Sequence, residues 1–338
     1  MPLPLDLTID NGAAIEARLK SLGWIAPSAT LEALERAGEG NMNRTLRARL
    51  PNGSLILKQS VPFVAKYPSI AAPPERIAVE AAFYAATAGS AAVAARLPSV
   101  LGYDPDNRLL ALEDLGASSD LTACYTNPAV LGGERRATLL DWLGLLHTHS
   151  LEHPDPILAN HAMRELNHAH IFDIPLRADN GVDLDAITPG LTAVARELHA
   201  NAALRERMQS LGDIYLGRAP HASRPALLHG DYYPGSWLAD EAGSVYVIDP
   251  EFAFVGPAEF DVGVLIAHFT FARVSQDELR TALAQYRAPE GFSLSLALAF
   301  AGAEVIRRLL GVAQLPLDAD LTLKSAWLAA ACTFLMAQ

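Results

Sequence analysis

The chain has 338 residues, 51% of them hydrophobic and 19% charged, with a formal net charge of -12. That length exceeds one small core and points to two lobes, and the balance of residue types excludes a disordered chain. The acidity argues against binding nucleic acid through bulk electrostatics.

Cys124 and Cys332 signal neither a disulfide framework nor a zinc spacing. The opening "MPLPLDLTID" has no basic and apolar leader pattern, and no apolar run reaches membrane-spanning length. The expectation is a cytoplasmic protein without membrane or nucleic-acid partners. A homodimer is compatible with it.

In chain order, residues 13–22 and 31–37 carry helical patterns. "NRTLRARLPNGSLILKQS" then reads as two strands joined by a Pro-Asn-Gly turn, with Leu46, Ala48 and Leu50 alternating with polar residues. "PPERIAVEAAFYAATA" opens on prolines and continues in good helix formers, so a helix follows the hairpin. "LPSVLGYDPDNRLLALEDLG" gives a second strand pair, ending at Glu113 and Asp114.

After a break at 113–118 the pattern changes. "GGERRATLLDWLGLLHTHS" is a helix with Leu139, Trp142, Leu143 and Leu146 on one face. Residues 151–225 read as irregular, with helix from about 189 to 211. "LLHGDYYPGSWLADEAGSVYVIDPEFAF" reads as strand, polar turn, strand, and helical patterns run from 256 to the end. The layout is α+β and bilobal: a small antiparallel-sheet N-lobe over residues 1–113 and a larger, mainly helical C-lobe over 114–338.

Four features carry chemistry. "GEGNMN" places Gly38, Gly40 and Asn41 in a turn whose N–H groups can approach a phosphate; Asn43 stands where a third glycine would, and Asn tolerates positive φ. Lys58 lies in an apolar strand, and Glu80 on the following helix can fix it, which is how kinases hold the α- and β-phosphates of ATP. Asp231, after His229 and Gly230, can accept a proton from an attacking hydroxyl. Asp249 and Glu251 offer the hard oxygens that Mg²⁺ prefers, and Ser236 stands where a kinase catalytic loop offers an Asn to the metal.

These motifs resemble the aminoglycoside phosphotransferase and choline kinase superfamily, which has a protein-kinase-like fold, and within it the 5-methylthioribose kinase family. The segments "GEGNMN", "KQSVPFV", "HGDYYPGS" and "DPEFAFVGPAEFD" carry the likeness. The resemblance implies an ATP- and Mg²⁺-dependent kinase acting on a hydroxylated small molecule. It places Arg307 and Arg308, in "EVIRRLLGVA", at the sugar and the transferred phosphoryl, and Glu113 and Leu115 at a hinge whose backbone binds adenine.

The sequence departs from the family where Tyr232, Tyr233 and Pro234 follow His-Gly-Asp, at positions that border the acceptor. The acceptor implied is a methylthioribose-like sugar, with an aminoglycoside, an amino alcohol or another hydroxylated metabolite as alternatives, and a nucleotide-binding pseudokinase as the alternative of another class. His161, His168 and His170 lack the spacing of a metal cluster.

Overall fold

The computed structural model describes residues 5–38 and 42–336, so Gly40 and Asn41 lie outside the described residues. Helix α1 (Gly12–Ser21) precedes strands β1 (Ala33–Arg36), β2 (Arg44–Leu50) and β3 (Gly53–Gln59). A ribbon of β4 (Phe63–Val64) and β5 (Tyr67–Ala71) leads to α2 (Arg76–Thr87), α3 (Ala91–Ala94), β6 (Val100–Asp104) and β7 (Leu109–Glu113). The sheet runs β1-β2-β3-β7-β6 and is antiparallel throughout.

Alternation along these strands decides what each face meets. Leu46, Ala48, Leu55, Leu57, Leu109 and Ala111 pack against Ile15 and Leu19 of α1. Leu110 and Leu112, on the opposite face, join the core that contains Ile77, Val79 and Phe83 of α2. Lys58 pairs with Leu110 in register, so it shares the α2 face. That register brings a lysine into the interior.

One expectation fails at the edge of this sheet. Residues 31–37, expected to be helical, include β1, whose Glu35 pairs in register with Arg47 of β2. Its residues are good helix formers, and partnership with β2 overrides that preference.

Strand β8 (Ser118–Asp120) follows the first sheet but pairs with β10 (Trp237–Asp240), far along the chain. Between them lie α4 (Gly133–Thr148), α5 (His161–His168), a π-helical turn at Ala169–Asp173, α6 (Leu184–Ile187), α7 (Leu191–Ala200), α8 (Ala202–Tyr215) and β9 (Ala226–Leu228). The 151–225 stretch is thus more helical than its composition suggests. The helix expected from 189 to 211 is two helices, because the Asn201 side chain accepts from Leu204 N and starts α8 afresh.

The expected hairpin over 227–254 is also resolved differently. Strand β10 pairs with β11 (Val245–Val247), while β9 pairs with β12 (Phe254–Gly256), Leu228 facing Phe254. Two small sheets therefore replace one. Helices α9 (Glu259–Phe271), α10 (Gln276–Leu283), α11 (Leu294–Leu310) and α12 (Leu321–Met336) complete the order. Helix α9 is buried on nearly every side, and a Cβ on its Gly263 would stand 2.7 Å from Ala297 O of α11. Only glycine permits that approach.

Candidate active site

Lys58 is almost wholly buried, and its Nζ donates to both oxygens of Glu80, at 2.7 and 2.8 Å. Glu80 belongs to the apolar face of α2 with Ile77, Phe83 and Tyr84, where an unpaired carboxylate would be costly. Lys58 Nζ also reaches Asp249 Oδ1 at 2.5 Å. Burial alone would lower the lysine pKa, but Asp249, Glu80 and Glu251 raise it above its ordinary value, so the ammonium stays charged.

Asp249 takes a left-handed backbone, φ 63° and ψ 48°, which is uncommon for a residue with a Cβ and aims its carboxylate across to β3. Asn160 braces this loop, its Nδ2 donating to the carbonyls of Glu251 and Ala253 at 3.1 and 2.9 Å.

Glu251 faces a different cation. Its Oε2 lies 3.3 Å from Arg76 Nε and accepts from Asn43 Nδ2 at 3.0 Å. Burial pushes its carboxyl up to about 8, with Lys58 and Arg76 pulling the other way. Arg76 has no exposed surface. It donates to the Asn43 side chain and to the carbonyls of Val61, Pro73, Met42 and Phe63.

Asn43 therefore serves through its side chain. It is not among the positive-φ residues, and the expectation of a glycine-like backbone there is corrected. Gly38 does adopt positive φ, at 70°.

The loop bearing Asp231 hangs from Asp261 in the first turn of α9. Asp261 accepts from His229 N at 2.6 Å and from Gly230 N at 3.0 Å, and a carboxylate is favoured at that helix end. Gly230 has φ 84°, and a Cβ there would lie 2.0 Å from Phe252 O. The His-Gly-Asp and Phe-Asp motifs are thus two halves of one bracket. Ser236, buried, donates its hydroxyl to Asp231 O at 3.1 Å, a bond that closes the loop.

Asp231 meets the arginines of α11. Arg308 Nη2 lies 3.3 Å and Arg307 Nη1 3.6 Å from its Oδ1. Both also bind Glu304, Arg308 through Nε at 2.5 Å and Arg307 through Nη1 at 3.1 Å. The Arg308 guanidinium sits over the Tyr233 ring, 4.8 Å from its centroid, and burial pushes the Tyr233 phenol up to about 12.

Tyr232, expected beside the acceptor, is fully buried, stacks on Trp142 and donates to Leu139 O at 2.9 Å. Its side chain belongs to the C-lobe core, which corrects that expectation. At the expected hinge, Glu113 accepts from Ser99 N and Oγ through its side chain, and Leu115 is half-buried.

The carboxylates read from the sequence are thus brought together with a cation each: Asp249 with Lys58, Glu251 with Arg76, Asp231 with the arginine pair. A family model described as "Phosphotransferase enzyme family" matches residues 33–295. The chain belongs to the phosphotransferase enzyme family.

Among curated relatives of this phosphotransferase, methylthioribose kinase of Exiguobacterium sibiricum is 30% identical over 345 residues, covering 89% of this chain and 84% of that protein. Methylthioribose kinase of Pectobacterium carotovorum is 28% identical and covers 74% and 62%. Choline kinase LicA from Streptococcus pneumoniae matches in structure with a TM-score of 0.52 at 14% identity, covering 96% of this chain and 99% of that one. A spectinomycin phosphotransferase matches with a TM-score of 0.51 at 13% identity, covering 99% and 98%. These two establish the fold, which is protein-kinase-like. The phosphotransferase is a small-molecule kinase, as the expected reading had it.

Three residues that buttress this site in the phosphotransferase escape a reading of the sequence. Arg76 stands four residues before Glu80 on one helix face, a spacing that could have drawn notice. Glu304 stands three and four residues before the arginines, a similar clue. Asn160 carries no such signal, because its partners are main-chain carbonyls distant in sequence.

Proposed function

We propose that this phosphotransferase moves the γ-phosphoryl group of ATP to a hydroxyl of a methylthioribose-like sugar. The observation that carries the reading is the arrangement of Asp231: a partly exposed carboxylate flanked by two arginines whose charges it shares with Glu304. Two cations face two anions there, so the acceptor end carries no net charge to attract a polycation. The Tyr233 face, which could otherwise cradle a quaternary amine, already holds Arg308.

Lys58, fixed by Glu80, is placed to hold the α- and β-phosphates. Asp249 and Glu251 fit Mg²⁺: both are oxygen donors, and this ion is held by one or two carboxylates together with phosphates and water. When bound, Mg²⁺ neutralises charge on the phosphates. Asp231 accepts the proton of the acceptor hydroxyl as its oxygen bonds to the γ-phosphorus and the bond to the bridging oxygen of ADP breaks. Arg307 and Arg308 then meet the charge spreading over the phosphoryl oxygens.

The test is ADP release with methylthioribose, choline, ethanolamine, spectinomycin and kanamycin as acceptors, in the parent and in Arg307→Ala and Arg308→Ala. Methylthioribose should give the highest kcat/KM, and either variant should lower it far more than it changes the KM for ATP. Efficient turnover of an amino alcohol or aminoglycoside instead, undiminished in the arginine variants, overturns the sugar reading.

A further inference from the structure

Behind the arginine pair runs a buried line of polar side chains, of which the phosphoryl-transfer reading uses only Glu304. Tyr125 OH lies 2.6 Å from His268 Nδ1, and His268 Nε2 lies 3.2 Å from Glu304 Oε1. Glu304 Oε1 accepts from Arg308 Nε at 2.5 Å, and Oε2 from Arg307 Nη1 at 3.1 Å. Tyr125, His268 and Glu304 are each at most 2% exposed. The line starts in the turn Thr122–Tyr125, crosses α9 and ends on α11, whose Arg307 and Arg308 face Asp231.

The proton positions follow from the partners. An ionised Glu304 only accepts, so His268 carries its hydrogen on Nε2 and its Nδ1 accepts from the Tyr125 hydroxyl. Burial pushes His268 down to about 4, which keeps it in this neutral form. Burial would raise Glu304, but Arg307 and Arg308 hold it well below the ordinary carboxylate range. Every bond in the line is thereby satisfied in one tautomer.

We infer that Glu304, held from behind by His268 and Tyr125, is the positioning residue that sets Arg307 and Arg308 against the acceptor and shares their charge with the base. The inference rests on the reading of these arginines as acceptor-side groups. Both stand nearer to Glu304 than to Asp231, at 2.5 against 3.3 Å for Arg308 and 3.1 against 3.6 Å for Arg307. Long arginine side chains lose that placement without an anchor. Without Glu304, Asp231 would be the sole anion for two guanidiniums, and the ion pairs it already makes at 3.3 and 3.6 Å would tighten at the expense of the acceptor hydroxyl. Glu304 touches neither substrate and acts through the arginines.

The test uses whichever acceptor the parent protein turns over best, so the identity of that acceptor decides the functional reading and the variant-to-parent ratios decide this inference. Glu304→Gln keeps the shape and removes the charge. It should lower kcat/KM for the acceptor about 10- to 100-fold, the scale of a hydrogen bond to a charged group, with the KM for ATP within about twofold of the parent. Glu304→Asp, which restores the charge, should recover part of that loss. Tyr125→Phe removes one hydroxyl at the far end, and should lower acceptor kcat/KM about threefold at unchanged ATP KM. It serves as the deciding variant if Glu304→Gln is not recovered folded. Parent-like acceptor kinetics in the folded Glu304→Gln protein, or in Tyr125→Phe where that is the deciding variant, overturn the inference. So does an equal loss toward both substrates, which is what a merely structural role produces.

Discussion

Lys58 Nζ lies 2.5 Å from Asp249 Oδ1, although one residue sits on β3 and the other follows β11, 191 positions away. With Glu80 on its other side, the ammonium joins the first sheet, α2 and the Asp249 loop at one point. The interaction has a structural role beside the functional one proposed for it, and the two separate by experiment. Lys58→Met should leave Glu80 buried without its cation and cost about 3 to 5 kcal/mol in denaturant unfolding. The double change Lys58→Met with Glu80→Leu should recover most of that stability while activity stays absent. A double variant no more stable than the single one would show that Glu80 is not the source of the cost.

Asp231→Asn keeps the bracket to Asp261 and the Ser236 bond, because both act on the main chain. It removes the proposed proton acceptor. Turnover should fall by a factor on the order of 10² or more, while the KM for ATP stays near that of the parent. Normal turnover in steady-state assays would remove Asp231 from the role of base.

Asp249→Asn and Glu251→Gln should raise the Mg²⁺ concentration needed for half-maximal ADP release, since Asp249→Asn loses a charged oxygen donor and Glu251→Gln loses a carboxyl that the metal would draw into its ionised form. Asp249→Asn should be the more severe, because Asp249 is the more exposed of the two, at 39% against 8% of the side chain, and also faces Lys58. A titration of rate against Mg²⁺ that superposes on the parent curve for both would exclude them as metal donors.

The buried His268 makes stability depend on acidity. Burial lowers its pKa from 6.5 to about 4. Between those values the unfolded chain binds a proton that the folded chain refuses, so stability is full above about pH 6.5 and declines as the pH falls toward 4. The contribution is at most about 3 kcal/mol. His268→Gln should flatten this part of the stability curve, measured by urea unfolding at a series of pH values. A curve as steep as that of the parent would assign the acid sensitivity to other groups.

Much of this was legible because each motif is short. The turn at Pro51 and Asn52 sets the β2–β3 register, and that register alone decides that Lys58 faces α2. His229, Gly230 and Asp231 are adjacent, as are Asp249 and Glu251 within one turn. What escaped depends on contacts that cross the chain. Arg76 meets Glu251, and Tyr125 meets His268, through side chains that a local pattern cannot pair. Strand β1 escaped because edge pairing to β2 outweighs the helical preference of its residues. Tyr232 looked like a cleft residue by position, and the packing of Trp142 and Trp237 around its ring turns it inward.

Arg76 has one more consequence. Its guanidinium has five N–H bonds, and they meet five acceptors: one side-chain amide oxygen and the carbonyls of Met42, Val61, Phe63 and Pro73. A fully used guanidinium of this kind acts as a rivet, because no single bond can be released without stranding a buried donor. The backbone around Met42 and Phe63 is thereby joined to the first turn of α2 as one cooperative unit, and should open to hydrogen exchange together with that helix turn and not ahead of it. Lysine at this position would supply three donors from a single point and could not span the same carbonyls. Met42 and Asn43, after strand β1 and before β2, are thus tied to the neighbouring helix through a single side chain.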